Sequence, residues 1–200
     1  MMELLAFGDT GWGDELLLSM VMTILVSTSS LAFGLIIGTI FASFKLSNSY
    51  ILKAIAEFYT TVVRGVPELL VIYLLFFGGS GAVMYVAKIF GHMGYIELSP
   101  FTIGTIAVGA ISGAYSTEVI RGAILAVPKG QFEAAQTLGM AKYAMSFKVI
   151  FPQVARLALP GIGNVWQVTL KDTALISVTG LVEIMRQSKI AAGSTHEPFI

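Results

Sequence analysis

LLLSMVMTILVSTSSLAFGLIIGTIFASF fills residues 16–44, 29 residues without a charged side chain. About 20 apolar residues in a helix cross the hydrocarbon core of a bilayer, so this run crosses with margin. Asp14 and Glu15 precede it and Lys45 follows. A secretory leader would show a basic start and a shorter apolar core, which excludes that reading. The composition agrees: 56% of residues are hydrophobic, 12% are charged, and mean hydropathy is +0.82. A soluble domain of this size needs far more polar surface to face water. Twelve basic and twelve acidic residues balance to zero, which excludes a nucleic-acid binder driven by net positive charge. There is no cysteine, so disulfides and thiolate metal sites are excluded. His92 and His196 lie far apart, which speaks against a histidine-rich metal centre.

Three further spans are expected. The apolar run from Leu69 ends at Gly78-Gly79-Ser80-Gly81, so its helix is placed at about 57–78, with Arg64, Pro67 and Glu68 in the first turns, where a proline is tolerated. A third span covers about 98–125. A fourth, about 157–182, works only if Lys171 and Asp172 lie within it. The expected fold is all-α: one polytopic membrane bundle over residues 1–200. With the N-terminus outside, the inner segments carry eight of the twelve basic residues and the outer ones three, which favours that orientation.

Small residues mark helix faces. Ser19, Thr23, Ser27, Ser30, Gly34 and Gly38 recur every three or four residues on the first span. Thr102, Thr105, Gly109, Ser112 and Ser116 do so on the third. Such stripes let helices approach closely in lipid, and they indicate a packed bundle rather than transport. Intramembrane charge says more. Glu118, Lys171 and Asp172 each cost about 2.5–3.5 kcal/mol at the bilayer centre, so they face a partner or a wet cavity. Asn164, Gln167 and Lys171 form a polar stripe on the fourth span, and Tyr115 shares a face with Glu118. Two readings stay open here: ion pairs that bind the bundle together, such as Glu118 with Arg121, or a path for substrate.

The inner loop, about 126–156, is the most specific stretch. Pro128 and Gly130 end the third span. Gln131–Leu138 makes a short helix with Glu133 near its positive end, and Gly139 suits a left-handed cap. A second helical piece runs from Ala141 to about Phe151 and stops at Pro152. Two isolated turns are unstable in water, so the first helix is held by its own bundle or by a partner's groove. Ala134 and Ala135 would let a partner surface come close to the backbone.

Glu133-Ala134-Ala135, then Gly139, then Ile150-Phe151-Pro152 resemble the EAA loop of bacterial ABC import permeases, with Phe151 where the pattern has leucine. RGVPELL at 64–70, GAYSTEVIRGAILAVPKGQFEAA at 113–135 and LPGIGNVWQVTLKDTALISV at 159–178 resemble the polar amino-acid permeases. Among these, the likeness is to those for histidine, lysine, arginine and ornithine and those for octopine and nopaline. The resemblance implies a type I importer permease that moves a polar, basic amino acid or an opine across the inner membrane. A neutral or acidic amino acid is the alternative cargo. It further implies a second permease subunit, a pair of ATPase subunits that bind the ATP and magnesium, and a periplasmic solute-binding protein, with no cofactor or catalysis in this chain. Gly130, Gln131, Glu133, Ala134, Ala135 and Gly139 would then couple to the ATPase. Glu68, Tyr115, Glu118, Lys171 and Asp172 would line the substrate path: carboxylates for the cargo's cations, Lys171 for its carboxylate, and a ring and hydroxyl from Tyr115. Arg64 is expected at the inner interface, as a snorkelling anchor or paired with Glu57 or Glu68. Such permeases continue past the segment STHEPF with a last helix. Four of five spans are therefore expected here, with impaired assembly of the 200-residue form. An ion-coupled secondary transporter is the rival from another class, but the sequence shows no inverted repeat and that reading leaves the loop unexplained. An enzyme finds no support, since no nucleophile–base pair or phosphate-binding loop is visible.

Overall fold

The computed structural model describes residues 6–8, 11–89 and 99–196, all of its regular structure being helical. His92 and the expected start of the third span at Leu98 lie outside the described residues. The first apolar run forms α1 (Gly13–Leu46) and the third forms α5 (Pro100–Ala126). Both are long and apolar enough to cross a membrane. The apolar window of α5 is 61% buried against 28% for α1, so α5 is the centre of the bundle.

The side chains of α1 explain its seating. Ser19, Thr23, Ser27, Ser30, Gly34 and Gly38 are all buried, as their spacing predicts. Of these, Ser30, Gly34 and Gly38 face Gly109, Ser112 and Ser116 of α5, buried too, whereas Thr102 of the second stripe is exposed. A Cβ on Gly34 would lie 3.0 Å from the Gly109 carbonyl oxygen, and one on Gly38 2.7 Å from the Ser116 Cβ. Hydrogen in place of a side chain is what lets the two backbones touch. The Ser112 hydroxyl donates across the seam to the Ser30 carbonyl at 3.2 Å. These pairings rise together in number along both chains, so α1 and α5 run parallel.

The chain must therefore cross back between them. It does so through α2 (Tyr50–Gly65), α3 (Glu68–Tyr73), a π turn (Leu74–Gly78) and α4 (Gly79–Ile89). A single helix over 57–78 was expected from the sequence. Instead the chain turns by 113° between Gly65 and Glu68. Val66 and Pro67 are extended, with ψ of 142° and 131°. A proline disfavours helix at the residue before it and cannot donate a helical N–H, which makes Pro67 a corner rather than a mid-helix guest.

α8 (Phe151–Ile176) runs antiparallel to α5: Gly161 meets Val119 and Ile176 meets Gly104. It starts before and ends short of the expected 157–182, passing into a tight turn (Ser177–Thr179) that Gly180 closes with φ of 101°. Between α5 and α8 lie α6 (Lys129–Thr137), α7 (Lys142–Met145) and a second π turn (Ser146–Ile150). The expected stop at Pro152 is absent. Pro152 sits in the first turn of α8, where a missing N–H breaks little. α9 (Ile184–Thr195) closes the described chain, its first turn capped by the fully buried Glu183, which accepts from the Met185 and Arg186 N–H groups. The core joins Val26, Ile72, Val108, Ile111 and Ile176 from α1, α3, α5 and α8 with Leu181 from the link before α9.

Candidate functional site

The corner at Pro67 sets the first cluster. Because the chain turns there, Arg64 at the end of α2 and Glu68 at the start of α3 both reach Tyr115 on α5. The Tyr115 hydroxyl donates to Glu68 Oε1 at 3.3 Å, and the Arg64 guanidinium stands 5.4 Å from the ring centroid. Opposite-face packing of α8 brings the Asp172 carboxyl against that of Glu68. Asp172 is 7% exposed, Glu68 half-buried and Arg64 exposed. Two carboxylates and a phenol ring thus converge from three elements. Such a grouping repels itself unless a proton or a cation is shared, and in the second case it suits an ammonium or guanidinium guest with the ring as a face to lie on. The positive end of α3 supports the Glu68 charge.

Glu118 belongs to a second cluster. It accepts from Lys45 at the end of α1, with Nζ–Oε1 of 2.5 Å, and from Arg121, with Nη2–Oε2 of 2.9 Å. The pairing with Arg121 and the tie to α1 make this a clamp between the parallel helices. It does not join the Glu68 group. Lys171 does not join it either. It precedes Asp172, about 100° away around the helix, is exposed, and forms no ion pair among the described residues. So of the five residues proposed from the sequence for a substrate path, three meet. Arg64, expected at an interface, joins them. The signal for that lay in the Val66-Pro67 pair.

The loop cluster lies at the same end of the bundle as Lys45 and Arg121, beyond the last turn of α5. α6 begins at Lys129 rather than Gln131, after Pro128. Its end is a Schellman cap: Gly139 has φ of 68°, its N–H donates to the Gln136 carbonyl at 2.9 Å, and the Met140 N–H donates to the Ala135 carbonyl at 3.1 Å. Ala135 is buried against its own chain, and Gln153 donates to Gln131 at 3.3 Å. Part of the support the short helix needs is therefore internal. Gly130, Gln131, Glu133, Ala134 and Gln136 stay exposed, with Leu138 at 80% exposure beside them.

An all-helical bundle with buried small-residue seams, two helices long and apolar enough to cross a membrane and an exposed short helix between two long ones is the build of a multi-pass membrane protein. Residues 30–195 match the family of binding-protein-dependent transport system inner membrane components, and the chain belongs to that family. It is 54% identical over 199 residues to the nopaline transport system permease protein of Agrobacterium fabrum, covering 99% of this chain and 84% of that one. It is 42% identical over 189 residues to the histidine/lysine/arginine/ornithine transport system permease protein of Escherichia coli, covering 94% and 82%. A crystal structure of an amino acid ABC transporter with histidines superposes with a TM-score of 0.76 at 32% identity, covering 94% of this chain and 82% of that one.

Proposed function

We propose that this permease subunit carries a cationic amino acid or an opine inward through an ATP-driven importer. The observation that carries the cargo class is the meeting of Glu68 and Asp172 beside the Tyr115 hydroxyl. The relatives named for nopaline and for histidine, lysine, arginine and ornithine support it. Glu68 and Asp172 take the cargo's positive groups, and Tyr115 and Arg64 close over them. Glu118 we assign to holding α1 against α5.

In this reading the N-terminus faces outward, where a periplasmic solute-binding protein delivers cargo. The end bearing Lys45, Arg121, Lys129, Lys142, Lys148 and Arg156 then faces the cytoplasm, in keeping with the positive-inside rule. The exposed side of α6 (Gly130, Gln131, Glu133 and Ala134, with Gly139 fixing its exit) seats in a groove of a partner ATPase, which binds the ATP and magnesium. A second permease subunit completes the path. Closure of the ATPase pair moves α6, and the long helices tilt as rigid bodies to alternate access.

The test is uptake by the assembled transporter in proteoliposomes. Labelled arginine should enter only with ATP inside the binding compartment of the ATPase. Octopine and histidine should compete and glutamate should not. Glu133→Lys should abolish uptake while the permease still folds. Uptake driven by an ion gradient without ATP would refute the reading.

A further inference from the structure

Arg64 stands beside the carboxylates of Glu68 and Asp172, yet among the described residues it makes no ion pair with either. Its guanidinium lies instead 5.4 Å from the centroid of the Tyr115 ring. That is the distance of a cation resting on an aromatic face. Tyr115 is half-buried and packed against the apolar core, which leaves its ring little room for a second cation. Arg64 itself is exposed, and a Cβ on the neighbouring Gly65 would meet nothing within 4 Å. The guanidinium is thus lightly held in an open place, by a ring and not by a salt bridge.

A second resting place lies close by. Arg64 belongs to the last turn of α2, where the carbonyls lack intrahelical partners and the helix dipole is negative. Pro67 has no N–H to give the Val63 carbonyl. An arginine in a last turn can donate to such carbonyls through its own flexible stem, with no movement of the backbone. Arg64 therefore has two places within reach: the Tyr115 ring and the end of α2.

The cargo class proposed above carries a positive group of the same kind. Two cations on one ring face would repel each other at close range. With the site empty, the two carboxylates still need a positive neighbour, and Arg64 supplies one.

We infer that Arg64 is a tethered stand-in for the cargo's cation: it covers the Tyr115 face while the site is empty and yields that face to cargo by turning to the end of α2. This rests on the function proposed above and adds a competitor that the chain itself carries. Cargo binds only by displacing it, so Arg64 weakens binding although it lines the site. With cargo in place, the guanidinium stays at the rim of the site.

The test is equilibrium binding of labelled arginine to the assembled transporter in nanodiscs, with the solute-binding protein left out. Arg64→Gln should lower the Kd about two- to fivefold, the worth of one exposed cation–π contact. Arg64→Ala repeats the measurement should glutamine disturb assembly. In a Tyr115→Leu background, where there is no ring to cover, Arg64→Gln should shift the Kd less than about half as much on a logarithmic scale. A Kd that is unchanged or raised in Arg64→Gln would overturn the inference, since an anchoring arginine predicts the first and a cargo-binding arginine the second. Equal tightening with and without the ring would overturn it too, because general charge repulsion then suffices. So would the absence of arginine binding in every variant. Uptake is measured on the same preparations with the solute-binding protein restored. ATP-driven uptake of arginine with the wrong binding pattern refutes the stand-in alone, whereas uptake without ATP refutes the function it rests on.

Discussion

Replacing Gly38 by alanine tests the seam between α1 and α5. The new methyl would lie 2.7 Å from the Ser116 Cβ and 3.1 Å from both the Ser116 carbonyl carbon and the Thr117 nitrogen. None of these atoms can rotate aside, because each belongs to the α5 backbone or is fixed to it. Carbon atoms in contact sit about 3.5–4.0 Å apart, so the helices must separate by roughly 1 Å at this level. Overpacking of this kind costs about 1–3 kcal/mol. Alanine returns up to about 1 kcal/mol through helix propensity. Contacts this short put the cost at the upper end of that range, and the balance is a loss of about 2 kcal/mol. Gly122→Ala on α5, where a Cβ meets nothing within 4 Å, keeps only the propensity gain. Reversible unfolding in mixed micelles, followed by tryptophan fluorescence, should thus move the two variants in opposite directions. A Gly38→Ala protein as stable as the parent would refute the close approach.

The remaining predictions concern the two charged clusters and the loop. Lys45→Met should cost about 2 kcal/mol in the same unfolding assay by removing a charged donor from Glu118, and pairing it with Glu118→Gln should recover part of the loss. Asp172→Asn should raise the KM for a cationic cargo at least about tenfold, the loss of one charge-assisted contact. Tyr115→Phe, which loses only the 3.3 Å hydroxyl bond to Glu68, should raise KM only a few-fold, about 1 kcal/mol. An unchanged KM in Asp172→Asn would remove that residue from the cargo site. Gly139→Ala forces a side chain into the φ of 68° and should cost about 1–2 kcal/mol at the end of α6. Transport should fall in that variant while ATP hydrolysis continues, which paired uptake and phosphate-release assays would show.

The small-residue spacing from Ser19 to Gly38 was legible because one helix period suffices to read a face, and every residue of it is buried. Gly139 was legible for a similar reason: a local backbone need leaves a local mark. The corner at Pro67 was not. A proline near a helix start and a proline at a break look alike in sequence, and only the extended Val66 beside it separates them. That corner decides the site, since it brings Arg64 and Glu68 to one ring. Lys171 and Asp172 could not be parted by hydropathy alone: both are charges in an apolar run, and their opposite fates depend on which side of α8 the core occupies. Glu118 went to Lys45, 73 residues away, a partner that no periodicity could supply.

In the parallel pair α1 and α5, Gly34 and Gly38 lie against the α5 backbone, and the Phe33 and Ile37 side chains of α1 are seated over Gly109 and Gly113. Side chains locked into glycine gaps leave the two helices no room to slide past one another by small rotamer changes. A push delivered at the loop end must then reach the far end, where the Ile184 N–H donates to the Thr23 hydroxyl at 3.1 Å, with little lost on the way. The pair behaves as a strut, and the molecule's compliance is left to a looser joint, the 113° bend at Pro67.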